Sequence, residues 1–182
     1  MLPGNPRYQP KILKDVFGYE NLYRETARVE LAVLETLGDI GIIPKRDIKL
    51  LTPAVRKKIL LIRTSAVDDL EREVTKHDIR ALVRLIQKTL PKRLRQWVHV
   101  PLTSYDARGT AEALQFTRAH EALKPKIQEV IGILATISEQ NAAMLQVGRT
   151  HGQHALPITV GFWLAGILDR LVYNAKHMDA AA

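Results

Sequence analysis

Between residues 110 and 145, apolar side chains return at helical spacing: Leu114, Leu123, Ile127, Val130, Ile131, Leu134 and Ile137. Side chains three and four apart share a face only where the backbone turns once every 3.6 residues or so, as an α-helix does. A stripe this long favours a helical bundle over a compact mixed sheet, because only other long helices can cover it along its length. Pro125 falls inside the run and is expected to break or kink it, since proline brings no N–H to the helical ladder.

The rest of the chain reads the same way. An extended start carrying Pro3, Pro6 and Pro10 leads into a helix over 19–40, with Leu22, Val29, Val33, Leu37 and Ile40 on one face. Gly41 and Pro44 end it. Thr52 as N-cap and Pro53 in the first helical position open another helix. Val67, Leu70 and Val74 extend the apolar stripe toward a helix capped by Asp78, which carries Ile79, Leu82, Val83 and Ile86 and stops before Pro91. A last helix is expected to start near Pro157 and run through Phe162, Trp163, Ile167, Leu168 and Leu171 without a C-terminal cap signal. No stretch alternates with period two for long enough to predict a strand, and no repeat is visible. The expected fold is all-α: an N-terminal helical domain over 1–100, then the start of a long helical bundle domain over 101–182.

With 182 residues, 46% of them hydrophobic, the chain can bury a core. It has no cysteine, which excludes a disulfide framework and a thiolate zinc site and makes a reducing cytoplasm the default expectation. The opening residues lack the apolar region of a signal peptide, and no run is long and apolar enough to span a membrane. A net charge of +8 points to an anionic partner: nucleic acid, an acidic membrane surface, or a small phosphorylated or carboxylated substrate. The basic stretches, Arg56, Lys57, Lys58 and Arg63, then Lys88, Lys92, Arg93 and Arg95, carry no interleaved aromatics, and read mainly as solvated helix faces.

Three polar islands interrupt the helices: "TKHD" at 75–78, "WVHVPLTSYDARGTA" at 97–111 and "QVGRTHGQHALPIT" at 146–159. Each holds histidine, the side chain that titrates near neutral pH and so moves protons readily; each histidine could equally be a surface or locally bonded residue. His151 and His154 are three apart, but a zinc site wants three or four ligands and no carboxylate or cysteine lies nearby in sequence, so no metal is expected. Gly152 and Pro157 also argue against a regular helix through the pair. His120 and His177 fall on predicted helices among ordinary surface residues. Thr103 and Ser104 can donate hydrogen bonds to a carboxylate or phosphate at a helix N-terminus, or simply cap that helix. No nucleophile elbow, phosphate-binding loop or dinucleotide fingerprint occurs.

Taken together, "RY" near the start, "TKHD", "HVPLTSYD" and "GRTHGQHALP" resemble, in order and approximate separation, motifs of the fumarate lyase (fumarase/aspartase) superfamily, most closely its adenylosuccinate lyase branch. The last motif looks like the second signature region of that superfamily, Thr-His-x-Gln-x-Ala, here Thr150, His151, Gln153 and Ala155. The resemblance implies the fumarase/aspartase type of bundle and a lyase of purine nucleotide biosynthesis. Such an enzyme eliminates fumarate from adenylosuccinate, giving AMP, and from the succinylated aminoimidazole carboxamide ribotide. It implies His151 as general acid, with His77 and His99 lining the site and His99 tuning the acid. Arg7, Tyr8, Lys76, His77, Asp78, Thr103, Ser104, Thr150 and Gln153 would contact the substrate. It further implies no metal or organic cofactor, a small succinylated purine nucleotide rather than nucleic acid or membrane as partner, a homotetramer, and a cytoplasmic location.

Two departures accompany the resemblance. The first signature usually carries a second acid, where this chain has Gly109 preceded by Arg108. The third signature, roughly Ser-Ser-x-Met-Pro-x-Lys on the loop that supplies the base, has no match. The chain is therefore expected to be the N-terminal part of a lyase, inactive alone. The alternatives are another superfamily member, such as a carboxymuconate cycloisomerase suggested by "QHALP", and a basic helical binding module without enzymatic activity.

Overall fold

A computed structural model describes residues 6–182, which form eight α-helices and one β-hairpin and divide between two compact units, Met1–Phe116 and Thr117–Ala182. The first unit holds α1 (Lys11–Phe17), α2 (Arg24–Asp39), α3 (Lys45–Ile48), α4 (Pro53–Leu60), α5 (Thr64–Leu70), α6 (Asp78–Thr89) and the opening of α7 (Ser104–Gln140). Pro3 lies outside the described residues. Beyond it the start is helical rather than extended: Pro6–Tyr8 make a 3-10 turn, and Pro10 stands before the first turn of α1, where its missing N–H costs no helical bond. The helix expected over 19–40 is also divided, into a 3-10 turn at Tyr19–Asn21 and α2 proper.

Helix α2 supplies the first unit with its centre. Leu31, Leu34 and Leu37 recur at helical spacing and are buried together with Ile43, Ile59, Val67, Leu82, Ile86, Leu90 and Leu94. Burial of each such side chain contributes about 1.5–3 kcal/mol. Ile40, expected on the same stripe, is 65% exposed because α2 ends at Asp39 and the chain turns through Gly41, whose φ is +81°. On another side of α2, Val29 packs with Ala107 and Ala111 of α7 and with Leu102. The two alanines are one turn apart, so α7 presents little bulk to α2 there.

The helix starts follow local chemistry. Thr52 accepts the backbone N–H of Val55 at 3.4 Å and Pro53 opens α4, as the sequence predicts. At α6 the N-cap is His77 rather than Asp78: the ring Nδ1 accepts the backbone N–H of Arg80 at 3.5 Å, while the Asp78 carboxylate accepts that of Ile79 at 2.7 Å.

In the second unit α7 continues through Pro125, which the helix absorbs at the loss of one ladder hydrogen bond instead of ending there. The third polar island folds as an antiparallel hairpin, β1 (Leu145–Thr150) and β2 (Gln153–Thr159), and so corrects the expectation that no strand is present. Pro157 pairs with Val147 inside β2 and does not begin a helix. Helix α8 (Val160–Ala181) starts three residues later, capped by the Thr159 hydroxyl, which accepts the N–H of Phe162 at 3.1 Å. His120 is not an ordinary surface residue: its side chain is 13% exposed, and Nε2 lies 2.7 Å from the carboxylate of Asp179, which Lys124 also contacts at 2.9 Å. His177 sits on α8 with its ring 4.3 Å from that of Tyr173.

Two helical glycines make opposite demands. A Cβ on Gly38 would stand 2.6 Å from Cγ1 of Ile48, a β-branched side chain with little room to rotate; a Cβ on Gly109 would meet nothing within 4 Å. Gly38→Ala is therefore expected to destabilise the fold by about 1–3 kcal/mol through overpacking. Gly109→Ala is expected to stabilise it by roughly 0.5–1 kcal/mol through helix propensity. Urea unfolding of the two variants checks the opposite signs.

Candidate active site

Within the first unit, the residues singled out by sequence gather where α6 and α7 begin. The Nε2 of His77 lies 3.5 Å from the hydroxyl oxygen of Ser104, the first residue of α7. The Nδ1 of His77 faces both the backbone N–H of Arg80 at 3.5 Å and Oδ1 of Asp78 at 3.3 Å. Asp78 Oδ2 stands 3.6 Å from Arg108, whose guanidinium also binds Glu112 at 3.2 Å. Lys76 adopts a left-handed conformation, φ +53°, and its ammonium donates to the carbonyl of Arg72.

Thr103 is a capping residue here. The Asp106 carboxylate reaches back to accept both its backbone N–H at 2.7 Å and its hydroxyl at 2.8 Å, the reciprocal half of a capping box. Those two bonds hold the Asp106 carboxyl below its usual range. The Thr103 hydroxyl proton is thus engaged by Asp106, and Ser104 is the hydroxyl that faces a histidine. Arg7 and Tyr8 lie together on the first 3-10 turn, with the guanidinium 5.9 Å from the exposed phenol ring.

His99 has the most constrained setting of the first unit's histidines. It sits in the connection before α7 with φ +69°, and its Nδ1 lies 2.7 Å from Oε1 of Glu30 on α2. Glu30 is fully buried, and its other oxygen, Oε2, has no hydrogen-bond partner among the described residues. Burial pushes the Glu30 carboxyl up from its ordinary value, and the hydrogen bond and charge of His99 oppose that rise. Sequence reasoning missed Glu30. The available signal was that it shares the i, i+4, i+7 row of Leu34 and Leu37, so that a carboxylate stands on an apolar stripe.

Beside this cluster, α1, α2, α6 and α7 enclose a cleft of about 270 Å³ walled by Tyr23, Thr26, Asp78, Arg108 and Glu112. The Tyr23 hydroxyl is pushed up to about 12, mainly by burial and then by the charge of Asp78.

Thr150, His151 and Gln153 form a separate group in the second unit. Thr150 and Gln153 pair across the hairpin, leaving His151 and Gly152 as its two-residue turn, with φ +51° and +71°. Positive φ at both central positions is the type I′ turn, usually made by Asn-Gly or Gly-Gly. His151 therefore holds a left-handed conformation that costs a non-glycine residue on the order of 1 kcal/mol, with its side chain exposed. His154 pairs with Arg149 on the strand, so the two histidines do not share a helix face. Among the described residues, no group of three or more potential metal ligands occurs, and no helix is long and apolar enough to cross a membrane.

A family model described as a lyase matches residues 27–182, and the chain belongs to that lyase family. Among its relatives, the adenylosuccinate lyase of Streptococcus mutans is 30% identical over 97% of this chain, and that of Archaeoglobus fulgidus 34% over 97%. The chain spans 39% of the length of each. Solved structures share the fold: a 3-carboxy-cis,cis-muconate lactonizing enzyme from Pseudomonas putida, TM-score 0.81 at 22% identity, covering 95% of this chain and 39% of that one. A fumarate lyase from Mesorhizobium sp. BNC1 superimposes with TM-score 0.80 at 22% identity over 99% of this chain and 41% of its own. The fold is the all-α one of the fumarase/aspartase superfamily, with the hairpin added to what the sequence predicts.

The raised Glu30 pKa has a sign that can be measured. A carboxyl that binds its proton more tightly folded than unfolded lowers stability as pH rises from about 4.5 through the folded value, and has no effect below that range. Glu30→Gln keeps the shape and removes the ionisation. Its stability relative to the parent protein should increase between pH 4 and pH 7.5 in urea unfolding, and a constant difference would contradict the assignment.

Proposed function

We propose that this chain is the amino-terminal part of a lyase that eliminates fumarate from adenylosuccinate, giving AMP, and from the succinylated aminoimidazole carboxamide ribotide in purine nucleotide biosynthesis. The observation that carries the proposal is similarity to adenylosuccinate lyases along 97% of the chain, through the segments that hold "TKHD", "LTSYD" and "GRTHGQHALP". In the elimination a base removes a proton from the succinyl carbon next to the one bearing nitrogen. The electron pair forms the fumarate double bond as the C–N bond breaks, and an acid protonates the departing nitrogen.

His151 is our candidate for the acid. An exposed imidazole on a turn held in a left-handed conformation is strain that the surrounding hairpin must sustain, and such strain concentrates at reacting centres. His77 and His99 would line the site. Arg7, Tyr8, Lys76, Asp78, Ser104, Thr103, Thr150 and Gln153 would bind the phosphate and succinyl carboxylates, in keeping with the chain's +8 charge. Residues 1–100 would form the N-terminal domain and 101–182 the start of the bundle. A cytoplasmic homotetramer fits this reading: Phe162, Trp163 and Tyr173 of α8 and Val130 and Ile133 of α7 are exposed apolar side chains on two long helices.

His151→Asn separates the turn from the chemistry. Asparagine adopts the left-handed conformation more readily than histidine and cannot act as a proton donor near neutral pH, so the full-length variant should be at least as stable as the parent. Its fumarate release should fall by about 100-fold or more, the usual scale of a general acid. Turnover within a few-fold of the parent would remove His151 from the role.

A further inference from the structure

The buried contact between Glu30, which lies outside every motif that points to the lyase reading, and His99, which opens "HVPLTSYD", ties a further residue to that motif. It joins α2 to the connection before α7 across 69 residues of sequence. Three observations bear on what it does. Glu30 is wholly excluded from solvent, and a carboxylate in that setting is costly unless it is paired and hydrogen-bonded. Its hydrogen-bond partner among the described residues is His99, through the backbone and through the ring Nδ1, which lies at 2.7 Å, a distance typical of a charge-assisted bond. The His99 side chain keeps 23% of its surface exposed, although its backbone is held at φ +69°.

We propose that Glu30 is a positioning residue: its carboxylate holds the His99 ring with Nδ1–H toward α2, so that Nε2 is the ring atom presented to a bound substrate. An ionised carboxylate can only accept, so the Nδ1 facing it must be protonated. The neutral ring then carries its lone pair on Nε2, which accepts a hydrogen bond or a proton there. Once protonated, the ring stays paired with the same carboxylate. The charged groups that face His99 are Glu30 from α2 and, more distantly, Asp106 from α7. This role for Glu30 rests on the reading of His99 as a site residue, while the ring geometry itself stands apart from any activity.

The test reads the ring nitrogens of His99 by long-range proton–nitrogen NMR in the full-length protein, with His99→Gln identifying the signal. The expected neutral form carries its proton on Nδ1, and in Glu30→Gln the Nε2–H form gains population, because an amide can turn its NH2 toward Nδ1. A neutral wild-type ring with its proton on Nε2 overturns the proposal even if the variant fails to fold, as do identical nitrogen shifts in wild type and folded Glu30→Gln. In the lyase assay, Glu30→Gln should lower kcat about 10–100-fold with little change in KM, the usual effect of losing a supporting hydrogen-bond partner. An unchanged kcat overturns the proposal. Wild-type protein that releases no fumarate counts against the lyase reading and leaves the ring-nitrogen result intact.

Discussion

Helix α2 is buried along more than one side, and the rest of the first unit is arranged around that fact. Leu31, Leu34 and Leu37 are covered by side chains from α4, α5, α6 and the segment that follows α6. Val29 is covered by Ala107 and Ala111 of α7. A helix enclosed in this way has little polar face left, so a charged residue in its middle must find its partner inside the protein. Glu30 finds His99, and this ties the connection before α7 to the centre of the unit. The start of α7, with Thr103, Ser104 and Asp106, follows directly from that anchored connection, so core packing and the placement of polar residues cannot be separated here.

The parts legible in the sequence were those in which local chemistry and tertiary packing agree. Thr52 and Pro53 open α4 because threonine caps and proline fits a first turn, and nothing in the surroundings opposes either. The cap of α6 was misread by one residue. Asp78 and His77 can both accept an N–H, and the choice was settled by the extended backbone of His77, φ −158°, which sequence does not report. Glu30 was illegible for a different reason. An acid in an amphipathic helix is usually solvated, and its partner is remote in sequence.

The hairpin escaped because neither strand buries a face. Most of its side chains are exposed, so the apolar and polar alternation that marks a half-buried strand has no reason to be present. The register also shifts between Val147 and Arg149, where Gly148 faces both Ala155 and Leu156, and the shift breaks what period remains. A Cβ at Gly148 would come 2.7 Å from the Leu156 carbonyl oxygen, so the strands approach more closely there than a larger residue allows. The turn residues His-Gly give only half of the usual I′ signal, since glycine is the expected second residue and histidine is not an expected first. A two-stranded ribbon with this little burial is marginal by itself, so β1 and β2 depend on α7 and α8 at their ends. Thr159, which closes β2, also caps α8, and the backbone N–H of Gly161 donates to the Asn141 carbonyl at 2.9 Å.

The two histidines of the first unit are held by different parts of the scaffold, and this bears on what each ring can do. The Nδ1 of His77 is shared between the backbone N–H of Arg80 at 3.5 Å and the Asp78 carboxylate at 3.3 Å, and its Nε2 meets the Ser104 hydroxyl at 3.5 Å. The Nδ1 of His99 meets one buried carboxylate, Oε1 of Glu30, at 2.7 Å. A short contact with a buried acid holds a ring more firmly than longer contacts with half-exposed groups, because the buried acid has no water to turn to. His77 can therefore adjust its protonated nitrogen to what it meets, whereas the proton of His99 is directed by the core of the unit. A ligand that meets both rings meets one adaptable imidazole and one whose polarity is set before binding.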